Sequence, residues 1–270
     1  MAGGMTHHVF APLDDSNLVV KVFQTTSRDE PQREWDALVT LAGSGIAPQP
    51  VYFDAGDPAV VVMTRVSGSS LPAGSIGPGH ARQIGRVHRL VHRMVPEVRR
   101  PPSHSGVRAA RTALLLDDRH QSSSVSVDAS DVVARAWRAA QVWIVGLDLE
   151  RLLYSDSLSF SRGDPNLSNY LWREEGVVLI DWENSGDNDP ALELADMAEH
   201  ASTRPLGEDF WTELANATDL THADRARVAQ GRRLMACFWL VLIDSRQRQG
   251  LPTTVTLEEQ ARRTLRTLDP

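Results

Sequence analysis

The sequence predicts an α+β fold, with a small N-terminal β-sheet part that carries one helix and a larger, mainly helical C-terminal part. Residues 18–23 and 59–66 are apolar runs of strand length, and one helix is predicted between them. From residue 78 onward apolar residues recur mostly at helical spacing, and a hairpin pattern interrupts them near residue 175. The strand-like segments thus lie mainly before residue 67, and the helices lie mainly after it.

The composition indicates a globular chain that needs neither metals nor disulfides to fold, since 41% of its 270 residues are hydrophobic and 23% are charged. Cys237 is the only cysteine, which excludes an intrachain disulfide and favours a reducing compartment, so we expect a cytoplasmic protein. The first thirty residues lack a signal-peptide core, and the longest apolar run, residues 234–243, is too short to span a membrane. A net charge of −7 argues against a nucleic-acid partner and is compatible with attracting a cationic substrate. We expect the protein to be a monomer or a homodimer.

Lys21 is the only lysine among 28 basic residues, and it lies in the apolar strand predicted over residues 18–23. Burying an unpaired charge costs several kcal/mol, so this ammonium needs an anionic partner or an anionic ligand. A compact ammonium suits phosphate as a point charge. Before this strand, Gly3 and Gly4 precede a strand-like segment over residues 9–13.

The predicted helix that follows supplies a partner for Lys21. Residues 27–30 read Ser-Arg-Asp-Glu, a capping box that begins at Ser27, and the helix is expected to run to about Ala42. Glu34 borders the buried stripe of this helix and can face the sheet. Glu30 is the alternative partner, although the cap already uses its side chain.

The C-terminal part is predicted to hold helices over residues 78–95, 106–119 and 128–153, with a polar linker at residues 121–124. His88 and His92 have the spacing of a zinc-binding helix. Arg89, however, stands where a metalloprotease would need a glutamate. We therefore expect His88 to be a core or interlobe histidine and not a zinc ligand.

A hairpin over residues 170–173 and 177–181 brings polar groups together at one end. The turn at residues 174–176 predicts a register symmetric about Glu175, with Asn169 opposite Asp181. Directly opposed residues lie about 5 Å apart, and amide and carboxylate oxygens are ligands that Mg2+ accepts. Asp164, on the preceding loop, is then free to act on a substrate hydroxyl.

These residues carry a resemblance to a known family. Residues 162–169 read Arg-Gly-Asp-Pro-Asn-Leu-Ser-Asn, residues 180–183 read Ile-Asp-Trp-Glu, and residues 189–191 read Asp-Pro-Ala. The pattern resembles the catalytic loop and metal-binding segment of the aminoglycoside phosphotransferase and choline kinase family, whose loop reads His-x-Asp-x-x-x-x-Asn. The departure is Arg162, which stands where the family usually has histidine.

The resemblance implies a two-lobe protein-kinase-like fold, with one domain over residues 1–66 and the other over residues 67–270. It also implies binding of ATP, with GTP as the alternative donor, together with Mg2+. It implies Asp164 as the catalytic base, Asn169 and Asp181 as metal ligands, and Lys21, held by Glu34, as a phosphate contact. The other implied roles are nucleotide contacts by Gly3, Gly4, Met63, Thr64 and Val66, and a position for Glu183 directly behind the metal ligands. Arg162 either biases the loop or adds positive charge near the phosphates, and the sequence leaves both roles open.

An acidic segment follows the metal-binding residues and suggests where a cationic substrate would bind. Its candidate substrate-binding residues are Asp187, Glu193, Asp196 and Glu199. On a helix that begins at Pro190, residues 193, 196 and 199 fall within an arc of about 120°. Their carboxylates could then form an anionic wall for an amine-bearing substrate. The alternative is that Asp189 caps this helix while the others are solvated or pair with arginines.

The resemblance leaves three functions open. The first is an antibiotic-type O-phosphotransferase acting on an aminoglycoside or another hydroxylated, cationic small molecule. The second is a metabolic kinase for choline, ethanolamine, thiamine or a sugar. The third is a nucleotide-binding pseudokinase, raised by Arg162 and the short segment before the first strand.

Overall fold

In a computed structural model the protein is described over residues 7–24, 28–100, 131–145 and 158–269. The chain divides into two compact units. The first comprises Met1–His104, Ser159–Asn188 and Pro205–Asp219, and the second comprises Ser105–Leu158, Asp189–Arg204 and Leu220–Pro270. The domain division expected after residue 66 stays a prediction. Gly3 and Gly4, the predicted helix over residues 106–119 and the predicted linker at 121–124 lie outside the described residues.

The first unit is built on a four-stranded antiparallel sheet with one helix after its second strand, as the α+β prediction requires. The order of the strands is β1-β2-β4-β3. The predicted strand over residues 18–23 is confirmed at both ends. The sheet strands are β1 (His7–Phe10), β2 (Leu18–Phe23), β3 (Pro50–Asp54) and β4 (Val60–Thr64), and the helix is α1 (Glu30–Thr40). Lys21 lies in an inner strand, opposite Val9 on one side and Val61 on the other.

The start of α1 differs from the predicted capping box. The helix begins at Glu30, so its N-cap is Asp29, which has a left-handed backbone (φ 64°) and forms no side-chain cap. The predicted cap at Ser27, which itself lies outside the described residues, was placed two residues too early. The Glu30 carboxylate instead accepts a hydrogen bond from the backbone N–H of Arg28 at 2.9 Å. The first turn of the helix tolerates Pro31, because a backbone N–H in this turn would have no intrahelical acceptor.

The remaining strands of this unit form two small sheets. β5 pairs with β7, which pairs with β8, and β6 pairs with β9. Their bounds are β5 (Ser69–Ser70), β6 (Ser159–Ser161), β7 (Tyr170–Arg173), β8 (Gly176–Leu179) and β9 (Gly186–Asn188).

The register of the β7–β8 hairpin corrects the predicted one by one residue. Tyr170 lies opposite Leu179 and Arg173 opposite Gly176, so Asn169 does not lie directly opposite Asp181. The turn contains two residues, Glu174 and Glu175, because Gly176 already pairs as the first residue of β8. The three-residue turn in the prediction counted this glycine as part of the loop. Such a one-residue shift changes every pair across a hairpin.

Two helices of the first unit pack closely against each other. α2 (Pro78–Arg93) confirms the helix predicted over residues 78–95 within two residues, and it packs against α5 (Glu208–Ala217). A Cβ added to Gly85 would lie 2.5 Å from the Cβ of Ala217. The absence of a side chain at Gly85 therefore permits the close approach of the two helices.

The second unit is helical in the part that the structure describes. Its helices are α3 (Val132–Val145), α4 (Pro190–Glu199), α6 (His222–Arg248) and α7 (Leu257–Leu268). α3 covers the described part of the helix predicted over residues 128–153. The apolar core of the second unit includes Leu192, Leu234 and Met235, and Cys237 is buried there, as expected. Over the described residues, no helix has the length and apolar content needed to cross a bilayer.

Candidate active site

Lys21 lies at the centre of a buried charge cluster in the first unit. The residue is 3% exposed, and its Nζ lies 3.1 Å from Glu34 Oε2, 2.6 Å from Asp181 Oδ1 and 3.1 Å from Glu183 Oε2. The ion pair with Glu34, predicted from the sequence, is present. Burial alone lowers the pKa of Lys21, but the three carboxylates outweigh burial and raise this pKa above its ordinary value. The lysine therefore stays cationic.

Glu34 is held in place by the segment that follows Asp181. It is 1% exposed on α1, and its Oε2 also accepts a hydrogen bond from the backbone N–H of Trp182 at 2.7 Å. Next to it, Arg33 Nη1 donates to the carbonyl of Ser185 at 2.7 Å, and Ser185 Oγ donates to the carbonyl of Arg33 at 3.0 Å. These contacts fix the helix that carries Glu34 against the chain that carries Asp181.

Asp181 has a backbone conformation that is uncommon for a residue with a side chain. Its φ is 65°, in the left-handed region that favours glycine. Such a residue costs of order 1–3 kcal/mol and is retained where the surrounding structure fixes it. Here the next residue, Trp182, is fully buried and stacks on Phe160 with ring centroids 6.1 Å apart. The packing of Trp182 thus holds the strained Asp181 beside Lys21.

Glu183 is bound on a second side by His7, at the start of β1. His7 Nδ1 lies 3.1 Å from Glu183 Oε2. Burial raises the pKa of Glu183, but the hydrogen bond from His7 and the charge of Lys21 prevail and lower it to about 2. The sequence suggested a metal-related role for Glu183 and missed His7. A lone histidine in a short strand has no local signal that would connect it with a glutamate in a distant segment.

The loop from Asp164 to Asn169 is braced by its own side chains. Asp164 Oδ1 accepts the backbone N–H of Asn166 at 2.9 Å, and Asp164 Oδ2 accepts Asn169 Nδ2 at 2.7 Å. The carbonyl of Asn169 accepts the backbone N–H of Ile180 at 3.0 Å. This last bond brings Asn169 next to the segment that carries Asp181, although the two residues are not a directly opposed pair.

A cavity of about 790 Å³ connects these groups. Among the residues that line it are Lys21, Glu34, Met63, Thr64, Val66, Asp164, Asn169 and Asp181. Its volume falls in the range of small-molecule sites, roughly 300–1,000 Å³. Several apolar residues that line the cavity were not predicted from the sequence, including Val19, Leu171 and Ile180. Val19 could have been predicted, because it lies two residues before Lys21 in the same strand and such residues share a face of the sheet.

The candidate substrate-binding residues are placed in two different units. In the first unit, Asp187 is 7% exposed and its Oδ2 accepts Arg99 Nε at 2.8 Å. In the second unit, Asp189 caps α4 through a 2.8 Å bond from the N–H of Ala191, which confirms the capping alternative.

The other three candidate residues are buried along α4, where the fraction of each residue that is exposed is 5% for Glu193 and 0% for Asp196 and Glu199. Glu199 is bound by Arg232 at 3.0 Å and Arg263 at 2.6 Å, which favours pairing with arginines over substrate binding for this residue. A substrate role for Glu193 and Asp196 stays a prediction.

His88 is a core histidine, as expected. It is 4% exposed, and its Nε2 lies 2.9 Å from the hydroxyl of Tyr170.

The antiparallel sheet, the lysine–glutamate pair on β2 and α1, and the braced Asp-x-x-x-x-Asn loop together define a protein-kinase-like fold. Residues 2–230 match the model of the phosphotransferase enzyme family. The chain therefore belongs to that family, and it is a small-molecule phosphotransferase. No curated protein sequence matches it significantly.

Solved structures with the same fold include two kinds of kinase. A choline/ethanolamine kinase family protein from Mesorhizobium loti is 19% identical with a TM-score of 0.69, over 99% of this chain and 87% of that chain. The choline kinase LicA from Streptococcus pneumoniae is 18% identical with a TM-score of 0.62, over 99% and 91%. An ADP-bound aminoglycoside phosphotransferase is 13% identical with a TM-score of 0.63, over 99% and 91%. At these identities the likeness shows the fold alone.

Proposed function

We propose that this protein transfers the γ-phosphate of ATP to a hydroxyl group of a small molecule. The observation that carries the proposal is the braced Asp164 carboxylate in the wall of the same cavity as the buried Lys21 cluster. A phosphoryl donor near Lys21 and an acceptor hydroxyl near Asp164 would then share one space. The ADP-bound and AMP-bound relatives with this fold support a nucleotide as the donor.

Lys21 contacts the phosphates in this proposal, and its carboxylate partners keep the ammonium charged and directed. The side chain must exchange its 2.6 Å contact with Asp181 for a phosphate oxygen, while Glu34 and Glu183 remain beside it. Met63, Thr64 and Val66 lie along the same cavity wall, and we assign the adenine ring to them.

The residues present fit a divalent cation. Asp181 already holds a cationic group, the Lys21 ammonium, against its Oδ1. The side-chain amide nitrogen of Asn169 donates a hydrogen bond to Asp164. The amide oxygen of Asn169 therefore lies on the opposite side of this amide group from the contact with Asp164. Asn169 and Asp181 would supply the oxygen ligands that Mg2+ prefers. When bound, Mg2+ neutralises charge on the transferring phosphate.

Asp164 orients the acceptor hydroxyl and receives its proton. The hydroxyl oxygen forms a bond to the γ-phosphorus, the bond from that phosphorus to the bridging oxygen breaks, and ADP leaves with the bonding electrons. The two hydrogen bonds that Asp164 accepts fix its carboxylate before the substrate arrives. Much of the rate is then due to positioning.

The acceptor we propose is a hydroxylated cationic compound of the aminoglycoside type, and the site of action is the cytoplasm. The net charge of −7 supports attraction of a cation. Choline or ethanolamine is the second candidate, because the solved structure with a TM-score of 0.69 is named as a choline/ethanolamine kinase family protein.

A panel of acceptors tests the proposal. ATP or GTP with Mg2+ is supplied with aminoglycosides, choline, ethanolamine, thiamine and sugars, and formation of the phosphorylated product is followed by mass spectrometry. Phosphate transfer to one acceptor, absent in Asp164→Asn, identifies the substrate class. Tight binding of Mg-ATP with no transfer to any acceptor would instead describe a pseudokinase, and absence of ATP binding would contradict the roles of Lys21, Asn169 and Asp181.

A further inference from the structure

Arg162 stands at the start of the catalytic loop, and the structure separates its two possible roles. Arg162 is 1% exposed, and it is not among the described residues that line the 790 Å³ cavity. A guanidinium that binds phosphate has to reach the space that the phosphates occupy. The buried position of Arg162 therefore argues against direct contact with the nucleotide.

The guanidinium of Arg162 lies on the ring of Tyr170. Its central carbon is 4.9 Å from the ring centroid, a distance at which a cation is attracted by the face of an aromatic ring. Tyr170 is fully buried and is the residue that directly follows Asn169. Its hydroxyl lies 2.9 Å from Nε2 of the buried His88 on α2. Arg162 thus connects the beginning of the loop to a fixed residue immediately after its end.

Arg162 also places a charge beside the catalytic carboxylate. Its Nη1 lies 3.9 Å from Asp164 Oδ2, the oxygen that accepts the hydrogen bond from Asn169. An arginine keeps its charge at every physiological pH, and its planar group can stack on a ring while it attracts a carboxylate. A neutral histidine, the residue usual in the family, supplies the stacking without the permanent charge.

We propose that Arg162 is a positioning residue that holds the loop over residues 164–169, and with it the Asp164 carboxylate, in the orientation used for transfer. The inference deepens the proposed phosphotransferase function and rests on it for the role of Asp164. It assigns no phosphate contact to Arg162. The backbone amides of Asn166 and Ser168, which donate to side chains within the loop at 2.9 and 3.1 Å, report its order directly.

The test uses the full chain with Arg162→Met, which removes the charge and the planar group but keeps an extended side chain. Arg173→Met is the matched control, because Arg173 is an exposed arginine on the strand that follows the loop. Hydrogen exchange of peptides over residues 160–173 is measured by mass spectrometry and needs no substrate. Steady-state kinetics with ATP and the acceptor found in the panel supply kcat and KM.

The expected result is faster hydrogen exchange in the loop of Arg162→Met, and a kcat lowered about 100-fold by misplacement of Asp164. The KM for ATP stays within about twofold of the wild-type value, since a side chain outside the cavity contributes little to nucleotide binding. Arg173→Met behaves as wild type in both measurements. Should Arg162→Met not fold, Arg162→Gln removes the same charge and carries the same expectations.

Two results would overturn the inference. A raised KM for ATP with unchanged kcat would make Arg162 a phosphate-binding residue, and unchanged exchange with unchanged kcat would leave it without a role in positioning. The two proposals fail separately. Wild-type protein that transfers no phosphate, while Arg162→Met still loses loop protection, contradicts only the proposed function. Wild-type transfer with an unaltered Arg162→Met contradicts only the inference about Arg162.

Discussion

The Lys21 ammonium faces three carboxylates, those of Glu34, Asp181 and Glu183, all within 3.1 Å of its Nζ. Desolvation opposes the charge on a buried lysine, yet three close anions more than compensate, and the pKa of Lys21 rises. The carboxylates outnumber the ammonium, so the cluster remains anionic when all of them are ionised. A divalent cation beside Asp181 would balance that excess, which agrees with the metal role proposed for this residue.

Glu183→Gln is expected to lower stability by about 1–3 kcal/mol at pH 7, since a buried charged hydrogen bond is replaced by a neutral one. The pKa of Glu183 is about 2 in the folded protein, below its ordinary value of 4.5. Its contribution to stability is therefore present above pH 5 and is lost as the pH falls from about 5 toward 2. Urea unfolding at several pH values measures the difference between wild type and variant.

The exposed Glu175, on the hairpin turn, supplies the control for this charge removal. Its side chain is 71% exposed, and Glu175→Gln should change stability by less than about 0.5 kcal/mol at any pH. The difference between wild type and Glu183→Gln should shrink below pH 5. A difference of constant size from pH 7 to pH 3 would show that Glu183 has an ordinary pKa in the folded protein.

Among the elements, α2 and α5 meet where Gly85 faces the Cβ of Ala217 and the carbonyl of Leu214. The same helix contains Gly79, whose added Cβ would meet only the end of the Arg82 side chain, at 4.0 Å. Gly79 and Gly85 thus lie in the same helix, but only Gly85 is in close contact with a second helix. Packing and helix propensity can therefore be separated by the same substitution at both positions.

Gly85→Ala is expected to destabilise the protein by about 1–3 kcal/mol, because the added methyl group overlaps α5 and the two helices must move apart. Gly79→Ala is expected to leave stability unchanged or raise it by up to about 1 kcal/mol, the gain in helix propensity. Chemical denaturation of both variants measures these changes. If the two substitutions had equal effects, the close approach at Gly85 would be wrong.

The hairpin shows why elements are easier to predict than their pairing. Residues 170–173 and 177–181 are apolar runs of strand length, and this local signal was sufficient to predict the strands Tyr170–Arg173 and Gly176–Leu179. The register depended on whether Gly176 belongs to the turn or to β8, a choice that local propensity leaves open. The cap of α1 was misplaced for a similar reason, since Ser27 and Asp29 are both good capping residues.

For the whole molecule, the sequence predicted the α+β class and the residues that line the cavity better than it predicted how they are held. Lys21 and Glu34 were found because a lone buried cation and a nearby helix face carry a strong local signal. His7, the hydrogen bond from Trp182 to Glu34 and the contact of Arg162 with Tyr170 were not found. Each joins segments distant in sequence or depends on a side-chain direction that a single sequence does not encode.

Binding of Mg-ATP should stabilise the whole chain against heat. At a concentration 100 times the Kd, a ligand that binds only the folded state adds about 2.7 kcal/mol, which raises Tm by several degrees. Calorimetry with ATP and Mg2+, and with ATP and EDTA, measures the rise and its dependence on the cation. Asp181→Asn should lose most of the Mg2+-dependent part. An equal rise with EDTA would speak against a metal at Asn169 and Asp181.

The measurement that tests the central claim most directly is the single-turnover transfer of the γ-phosphate of ATP to the acceptor found in the panel. Wild type and Asp164→Asn are compared, and the Kd for Mg-ATP is determined on the same samples. We predict that Asp164→Asn slows transfer about 10²–10⁴-fold, the range for loss of a general base, while the Kd changes by less than about twofold. Transfer at the wild-type rate by Asp164→Asn would contradict the account.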